Sequence, residues 1–408
     1  MIVAGKEEKM NFDVSQFPTR EEAFQGLISR WNPVRKTEQV TLEDSLGRVL
    51  AEDMYAKNTL PVERSAACDT YAFKSQAFDN GMPDTSSWVE GVDFVRADMG
   101  DDFPDEFDTC TQVENVDRDN EGHFAFNERF KFRKGDCINK KGATVTEGTL
   151  LVRKNTKITP ELLPVLATGG IRVVPVYKKL IVGFIPTGTE LVQTGAIPVR
   201  GDTIECNGLM ISAVMKEAGA ECVRYPIIVD NRAMLEKMLD EALEYCDIVL
   251  INGGSSKGSE DFNKLILEVR GSYHTYGVKC GPGRPVGIAL INDKPVINVP
   301  GPVLAAWLAC DWLVRGLVYH YYCIPMPKRK VVPVKLTENM RGPGFMAFIG
   351  RVTITKTENG YEGTPVPREA GVLGMGIMQG QVYVPLGHKG YEAGTIVDCE
   401  LLVGEELL

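Results

Sequence analysis

From Leu180 onward the chain alternates between two hydrophobic rhythms. A continuous apolar run, LIVGFIP, gives way to a glycine turn and then to DTIECNGLMISAVMKEAGA, where apolar residues recur at helical spacing. A run apolar on both faces fits a buried strand, and a period between three and four fits a helix with one buried face. The unit then recurs through ECVRYPIIV, the helical NRAMLEKMLDEALEYC, the strand DIVLING and the helical EDFNKLILEV. A strand pair, VGIALINDKPVINVP, and a helix, VLAAWLACDWLVRGLVYH, complete it. Alternating strands and helices predict a doubly wound, mostly parallel α/β sheet with helices on both faces.

The pattern changes on either side. KRKVVPVKLTENM and the segments after it alternate over short spans between glycine turns, which predicts a small C-terminal β-domain of barrel-like form over 326–408. Upstream, TREEAFQGLISRW and LEDSLGRVLAEDM read as helical, and Phe94 to Thr156 is rich in short strand and turn signals. ITPELLPVLATGGIRVVPV predicts a short helix capped at Gly169-Gly170. The expected organisation is an α/β multidomain chain with mixed α+β N-terminal modules. Residues 1–50 and 151–178 form one module, 51–150 a mostly β insertion, and 179–325 the α/β domain.

Composition narrows the function classes. With 408 residues, 44% hydrophobic and 25% charged, the chain is long enough for several cores and ordinary enough to fold. A net charge of −10 argues against a nucleic-acid surface, because phosphate contacts need clustered Lys and Arg. No apolar run is long enough to span a bilayer and no signal-peptide pattern opens the chain, so no membrane association and a cytoplasmic location are expected. Ten scattered cysteines lack C-x-x-C spacing, and four separated histidines offer no metal pair. The acidic run from Asp98 to Asp108 leaves open a cation site and a solvated loop.

Ligands of doubly wound sheets bind outside the carboxyl ends of the strands. Topology places Thr187, Gly188 and Glu190 after the first strand and Asp230 after the second. Gly253, Gly254, Ser255, Ser256 and Gly258 follow the third, with Asp261 at the start of the next helix, and Pro300 and Gly301 follow the last. Glycines let backbone N–H groups approach an anion, and carboxylates beside an anion suit a bridging magnesium. A phosphorylated ligand with a divalent cation is the chemistry this points to, although each piece alone also fits a plain turn or a solvated loop.

These segments together resemble the MoeA family of molybdopterin molybdenumtransferases, which includes the E domain of gephyrin. PTGTELV resembles the family's S-T-G-D/N-E-L, and IECNGLM its D-S/T-N segment. NGGSSKGSEDF resembles G-G-V-S-x-G-x-x-D-Y, GPGRP resembles K-P-G-K-P, and ERSAACDTYAF resembles D-N-S-A-M-D-G-Y-A. The resemblance covers nearly the whole chain. It implies an elongated four-part subunit, a homodimer, and molybdenum cofactor biosynthesis, in which molybdate is inserted into adenylylated molybdopterin and AMP is released. It further implies magnesium held by Glu190 and Asp261, with Asp230 and Asp69 as two more acidic site residues. Asn207 and Arg284 join the residues named above as ligand-binding positions. Contact with an adenylylating partner enzyme or a recipient molybdoenzyme is a further implication.

Departures from the family pattern are specific. Gly277 and Gly281 stand where lysines are expected, so that of the family's lysine positions in that segment only Arg284 keeps a positive charge, and Thr70 replaces a glycine. Met99 stands at a threonine position, Gly142-Ala143-Thr144 lacks two acids, and VPGPV lacks an asparagine. Lys257, in the glycine loop, offers a replacement charge. These changes raise an alternative: a paralogue that binds molybdopterin or its cofactor as a carrier, chaperone or regulator, or an interaction scaffold.

Overall fold

The computed structural model describes residues 16–119, 123–253 and 262–408. The chain divides into two compact units, Thr37–Tyr177 and the remainder, in which the segment up to Lys36 joins Lys178–Leu408.

In the second of these units, strands β1 (Ile181–Pro186), β2 (Glu221–Arg224), β3 (Ile248–Asn252), β4 (Tyr273–Tyr276), β5 (Gly287–Ile291) and β6 (Lys294–Val299) form one sheet in the order β2-β1-β3-β6-β5-β4. The ladders β1–β2, β1–β3 and β3–β6 are parallel, and β6–β5 and β5–β4 are antiparallel. Helices α1 (Asn207–Glu217), α2 (Arg232–Tyr245), α3 (Phe262–Arg270) and α4 (Val303–Ala309) cover it. One face buries Leu235, Leu239 and Leu243 of α2 with Ile266 and Leu267 of α3, against Ile185, Val249, Ile251 and Val296. On the other face α1 packs against α4 and lies so close to β1 that a Cβ on Gly208 would sit 3.0 Å from the Phe184 ring.

The doubly wound reading holds, with two additions. β5 and β6 turn tightly through Asn292 and Asp293, both at positive φ, the geometry a two-residue hairpin needs. β4, which has no clear strand pattern in GSYHTY, extends the sheet beyond that hairpin.

After α4 the helical path continues through a π-turn, Cys310–Val314, into a further helix, Arg315–Tyr321. Val331–Leu336, Ala347–Thr357, Gly360–Pro365, Gly380–Val384 and Ile396–Leu401 then pair in a ring, because the Ala347–Thr357 strand contacts both Gly360–Pro365 and Gly380–Val384. The burial pattern of Val331–Leu336 alternates strictly, placing Val332, Val334 and Leu336 in a core with Val352, Val382 and Cys399. Cys280 and Gly281, from the α/β part of the chain, pair with Ala347 and Phe348 at the edge of this ring.

Among the described residues, the Thr37–Tyr177 unit has three cores. Thr37–Thr41 pairs with Val173–Tyr177 around Leu50, Ile158, Leu166 and Val176. Farther in, Thr70–Phe73 lies between Phe94–Ala97 and Thr109–Gln112. One face of that small sheet carries Ala66, Ala72, Phe103 and Phe107, and the other carries Tyr71, Phe73, Phe94, Phe124 and Phe130. Rings of Phe94 and Phe124 lie 4.4 Å apart, and those of Phe126 and Phe130 3.9 Å apart.

Helix Arg20–Ile28 forms where expected and opens with a capping box, Thr19 and Glu22 each binding the other's backbone N–H. Helix Leu162–Thr168 ends at Gly169, followed by Gly170 at positive φ. LEDSLGRVLAEDM is not helical. Ser45 donates to the Leu42 carbonyl at 2.7 Å, Thr41 donates to Asp44, and Gly47 takes positive φ, while Leu50 bridges to Val176. Local side-chain bonds and a glycine turn outcompete the helical register there.

Candidate functional site

The carboxyl ends of β1, β3 and β6 meet in a buried polar cluster. Six polar or charged residues are fully buried among the described residues beyond Lys178, and five of them, Thr187, Asn207, Asn252, Asn263 and Asn298, gather here. Burying an amide without partners costs roughly 1 to 3 kcal/mol, so such a concentration must be stitched together or serve a ligand.

Most of it is stitched. Asn252, the last residue of β3, donates to the carbonyls of Val299 (3.2 Å) and Pro300 (2.9 Å). Its oxygen accepts from Asn207 Nδ2 at 2.9 Å, and the same Asn207 nitrogen donates to the Gly301 carbonyl at 2.8 Å. Thr187 donates its N–H (2.8 Å) and its hydroxyl (3.1 Å) to the Asn252 carbonyl. On the far side Asn263, in α3, donates to the Gly253 carbonyl at 2.8 Å. Asn298 has its best partners with its nitrogen 3.0 Å from the carbonyls of Ile251 and Gly253 and its oxygen accepting from Tyr276 Oη at 3.2 Å. The loops leaving three strands are thus tied to each other by amides beneath them.

Thr187, Asn207, Gly253, Pro300 and Gly301 are therefore brought into one cluster. Gly188 and Gly253 have positive φ, and a Cβ on Gly253 would lie 2.3 Å from the Thr187 carbonyl, so glycine is required there for close approach of two backbones. Their N–H groups are already used: Gly188 donates to Ile228 and Gly253 to Val299. The Gly208 N–H at the start of α1 is likewise capped by Glu205 at 2.8 Å. At these positions the glycines serve geometry and are not free anion donors.

Two carboxylates stand at the rim. Glu190 is exposed, and its carboxylate folds back over Gly188, within 2.7 to 2.9 Å of where a Cβ would stand. Asp230, also exposed, accepts from the Thr189 hydroxyl at 3.2 Å, which links the loops after β1 and β2. Arg284 stands half-buried on the turn after Gly281, where its carbonyl accepts from the Val278 N–H at 3.0 Å. Asp261, Gly254, Ser255, Ser256, Gly258 and Lys257 lie outside the described residues. Among the described residues no group of three or more His, Cys, Asp or Glu side chains is arranged to hold a metal. The donor chemistry of Glu190, a hard carboxylate oxygen, nevertheless suits magnesium, which keeps several waters and uses one or two carboxylates with ligand phosphates.

Asp69 belongs to the Thr37–Tyr177 unit. It is exposed at the start of the central strand, and its carboxylate accepts from the Met99 N–H at 3.0 Å. The next residue, Thr70, is fully buried and donates its hydroxyl to the Thr111 carbonyl at 2.5 Å, so the departure from glycine is absorbed as a strand residue.

Two other departures are fixed by packing to different degrees. Gly277 has φ +95°, and a Cβ there would lie 2.9 Å from the Phe17 ring. At Gly281 a Cβ would press on the terminal methyl of Met346, at 2.9 Å, which can move aside, and would touch the Phe348 ring at 3.7 Å.

Sequence reasoning missed Asn252, Asn263, Asn298 and Thr189. The signal for two of them was present: DIVLIN ends an apolar strand in asparagine and PVINV carries one next to its end, a residue with low strand propensity at a buried position.

The fold and this edge define an α/β protein of the molybdopterin-binding type with an N-terminal β-rich unit. Residues 19–170 match the family model described as MoeA N-terminal region (domain I and II), and residues 183–320 match that of a probable molybdopterin binding domain. The chain belongs to the MoeA family. It is 27% identical over 391 residues to the molybdopterin molybdenumtransferase of Bacillus subtilis, covering 91% of each chain. To that of Staphylococcus aureus strain MW2 it is 27% identical over 399 residues, covering 93% of this chain and 94% of the other. A solved structure of a molybdopterin biosynthesis MoeA protein from Pyrococcus horikoshii has the same fold, with TM-score 0.78, 24% identity, and coverage of 95% of this chain and 100% of that one.

Proposed function

We propose that this chain is a molybdopterin molybdenumtransferase of molybdenum cofactor biosynthesis. It inserts molybdate into adenylylated molybdopterin and releases AMP. The observation that carries the reading is the Glu190 carboxylate folded over Gly188 beside an amide-stitched strand edge, in a chain whose relatives along nearly its whole length bear that name. In this reading Glu190, together with Asp261, holds magnesium, which when bound neutralises charge on the phosphate and oxyanion. Asp230 fixes the Thr189 turn that carries Glu190, and Asp69 is a further acidic group. Thr187, Gly188, Asn207, Gly253, Gly254, Ser255, Ser256, Gly258, Arg284, Pro300 and Gly301 form the ligand-binding positions. The protein works as a homodimer in the cytoplasm, with no nucleic-acid or membrane partner and with an adenylylating enzyme or molybdoenzyme as its protein contact.

The test is AMP release from adenylylated molybdopterin by purified protein given molybdate and magnesium. A folded protein that releases none removes the proposal. Gly277 and Gly281 favour the second reading, a cofactor carrier, chaperone or regulator, because two ammonium groups that would each contribute roughly 1.5 to 3 kcal/mol to a phosphate are missing. Tight binding of the cofactor without turnover would select it.

A further inference from the structure

The amide relay at the strand ends leaves one atom over. Asn252 Nδ2 faces two carbonyls, so the Asn252 oxygen must face Asn207. Asn207 Nδ2 therefore donates to that oxygen and to the Gly301 carbonyl, and turning the Asn207 amide over would set oxygen against two acceptors. The orientation of Asn207 is forced by its neighbours. Its Oδ1 is buried and, among the described residues, has no hydrogen-bond donor, although the whole residue is only 6% exposed. A buried amide oxygen without a donor forgoes a hydrogen bond, and native structures seldom tolerate this away from a ligand.

The surroundings sharpen what is missing. Two groups at this edge that are not engaged with the backbone are acceptors: Asn207 Oδ1 and the Glu190 carboxylate. The N–H groups of Gly188, Gly253 and Gly208 are taken. Gly301, whose carbonyl holds Asn207, faces open space, with nothing within 4 Å of a Cβ position. A phosphate offers only acceptors at neutral pH and cannot satisfy an amide oxygen. The complement of Asn207 must be an O–H or N–H borne close to the phosphate.

We propose that Asn207 Oδ1 receives a ribose hydroxyl of a nucleotide, and that Asn252 is the positioning residue that fixes Asn207 with its oxygen turned away from the amide relay. In a nucleoside 5′-phosphate the ribose hydroxyls are the donors nearest the phosphate. The proposal rests on the adenylylated-ligand reading above and adds to it a selection for ribose over deoxyribose.

The test is calorimetric titration, with magnesium, of AMP, 2′-deoxy-AMP, 3′-deoxy-AMP and inorganic pyrophosphate into the full chain. The wild type binds AMP about tenfold tighter than one of the two deoxynucleotides, the size expected for one hydrogen bond to a buried amide. Asn207→Leu loses that discrimination, and circular dichroism with thermal melting reports whether it is folded. Asn252→Leu, which frees the Asn207 amide to turn, reduces the discrimination without touching the nucleotide. Equal wild-type binding of AMP and both deoxynucleotides overturns the proposal without any variant, as does discrimination that survives in Asn207→Leu. Binding of pyrophosphate but not of AMP retains a phosphate site and removes the ribose contact. Binding of neither removes the adenylylated-ligand reading along with it.

Discussion

The two units meet their family motifs in opposite ways. At the strand-end edge of the α/β sheet the motif residues are held by buried amides. Thr187, Asn207, Gly253 and Gly301 are each bonded to, or in van der Waals contact with, another loop. Around Asp69 the fold is set by an aromatic core, and the motif residue itself stands in solvent with one backbone N–H on its carboxylate. Where backbone geometry is the working part, substitution disturbs several loops together. Where an exposed side chain is the working part, its neighbours can drift, as Thr70 and Met99 have.

That contrast can be broken by experiment. The largest effect is expected for Glu190→Ala: AMP release falls about 100-fold or more, as for loss of a group that stabilises transition-state charge, while stability stays within about 0.5 kcal/mol because the side chain is exposed. Single-turnover assays and urea melts check the two halves, and equal loss in both would mean a structural role. Asn252→Leu strands two carbonyls and one amide, and is expected to lower stability by roughly 3 to 5 kcal/mol in urea denaturation.

Restoring the missing lysines separates packing from chemistry. Gly277→Lys meets both the positive φ and the Phe17 ring and should cost about 1 to 3 kcal/mol, read as a fall in Tm. Gly281→Lys, at a buried position where the close contact is a movable methionine end, should cost about 1 kcal/mol, the low end for overpacking. If both are tolerated equally, the backbone constraint at Gly277 is not real.

An acid titration supplies a reference point outside both regions. Burial pushes the Asp311 carboxyl up, but bonds from Arg329 and attraction from Arg315 outweigh it and hold the group below its usual range. A carboxyl depressed in the folded state contributes stability that is present above its unfolded value of 3.8 and is lost as pH falls toward the folded value. Asp311→Asn should therefore flatten the acid limb of the stability curve below about pH 4. An unchanged limb would show that other carboxylates dominate acid unfolding. In the Thr37–Tyr177 unit, Thr70→Gly should cost about 1 kcal/mol in urea denaturation, since it removes one buried hydroxyl bond from a strand.

Legibility followed the same division. The strand and helix order from Leu180 could be read because each element has its own period, and the carboxyl-edge rule then placed Thr187, Glu190, Asp230 and Gly301 without a structure. The amide network could not be read in full, since which asparagines meet depends on how β1, β3 and β6 end in space. Asn263 gave no sign within a helix of ordinary polarity. LEDSLGRVLAEDM misled because its leucines and its Ser-Leu-Gly turn satisfy a helical count while their hydrogen bonds are made locally. Thr70 reads as a defect against the family pattern, and only its bond to Thr111 shows that the strand uses it.

The pairing of Cys280 and Gly281 with Ala347 and Phe348 bears on how this chain could be taken apart. The segment that carries Gly277, Gly281 and Arg284 is also an edge strand of the C-terminal ring. Cutting the chain after residue 326 would therefore unpair the stretch on which the cationic side of the site depends, and a shortened version should not be treated as an independent catalytic piece. Swapping the C-terminal ring between relatives would carry the same penalty, so the two parts are expected to be inherited together.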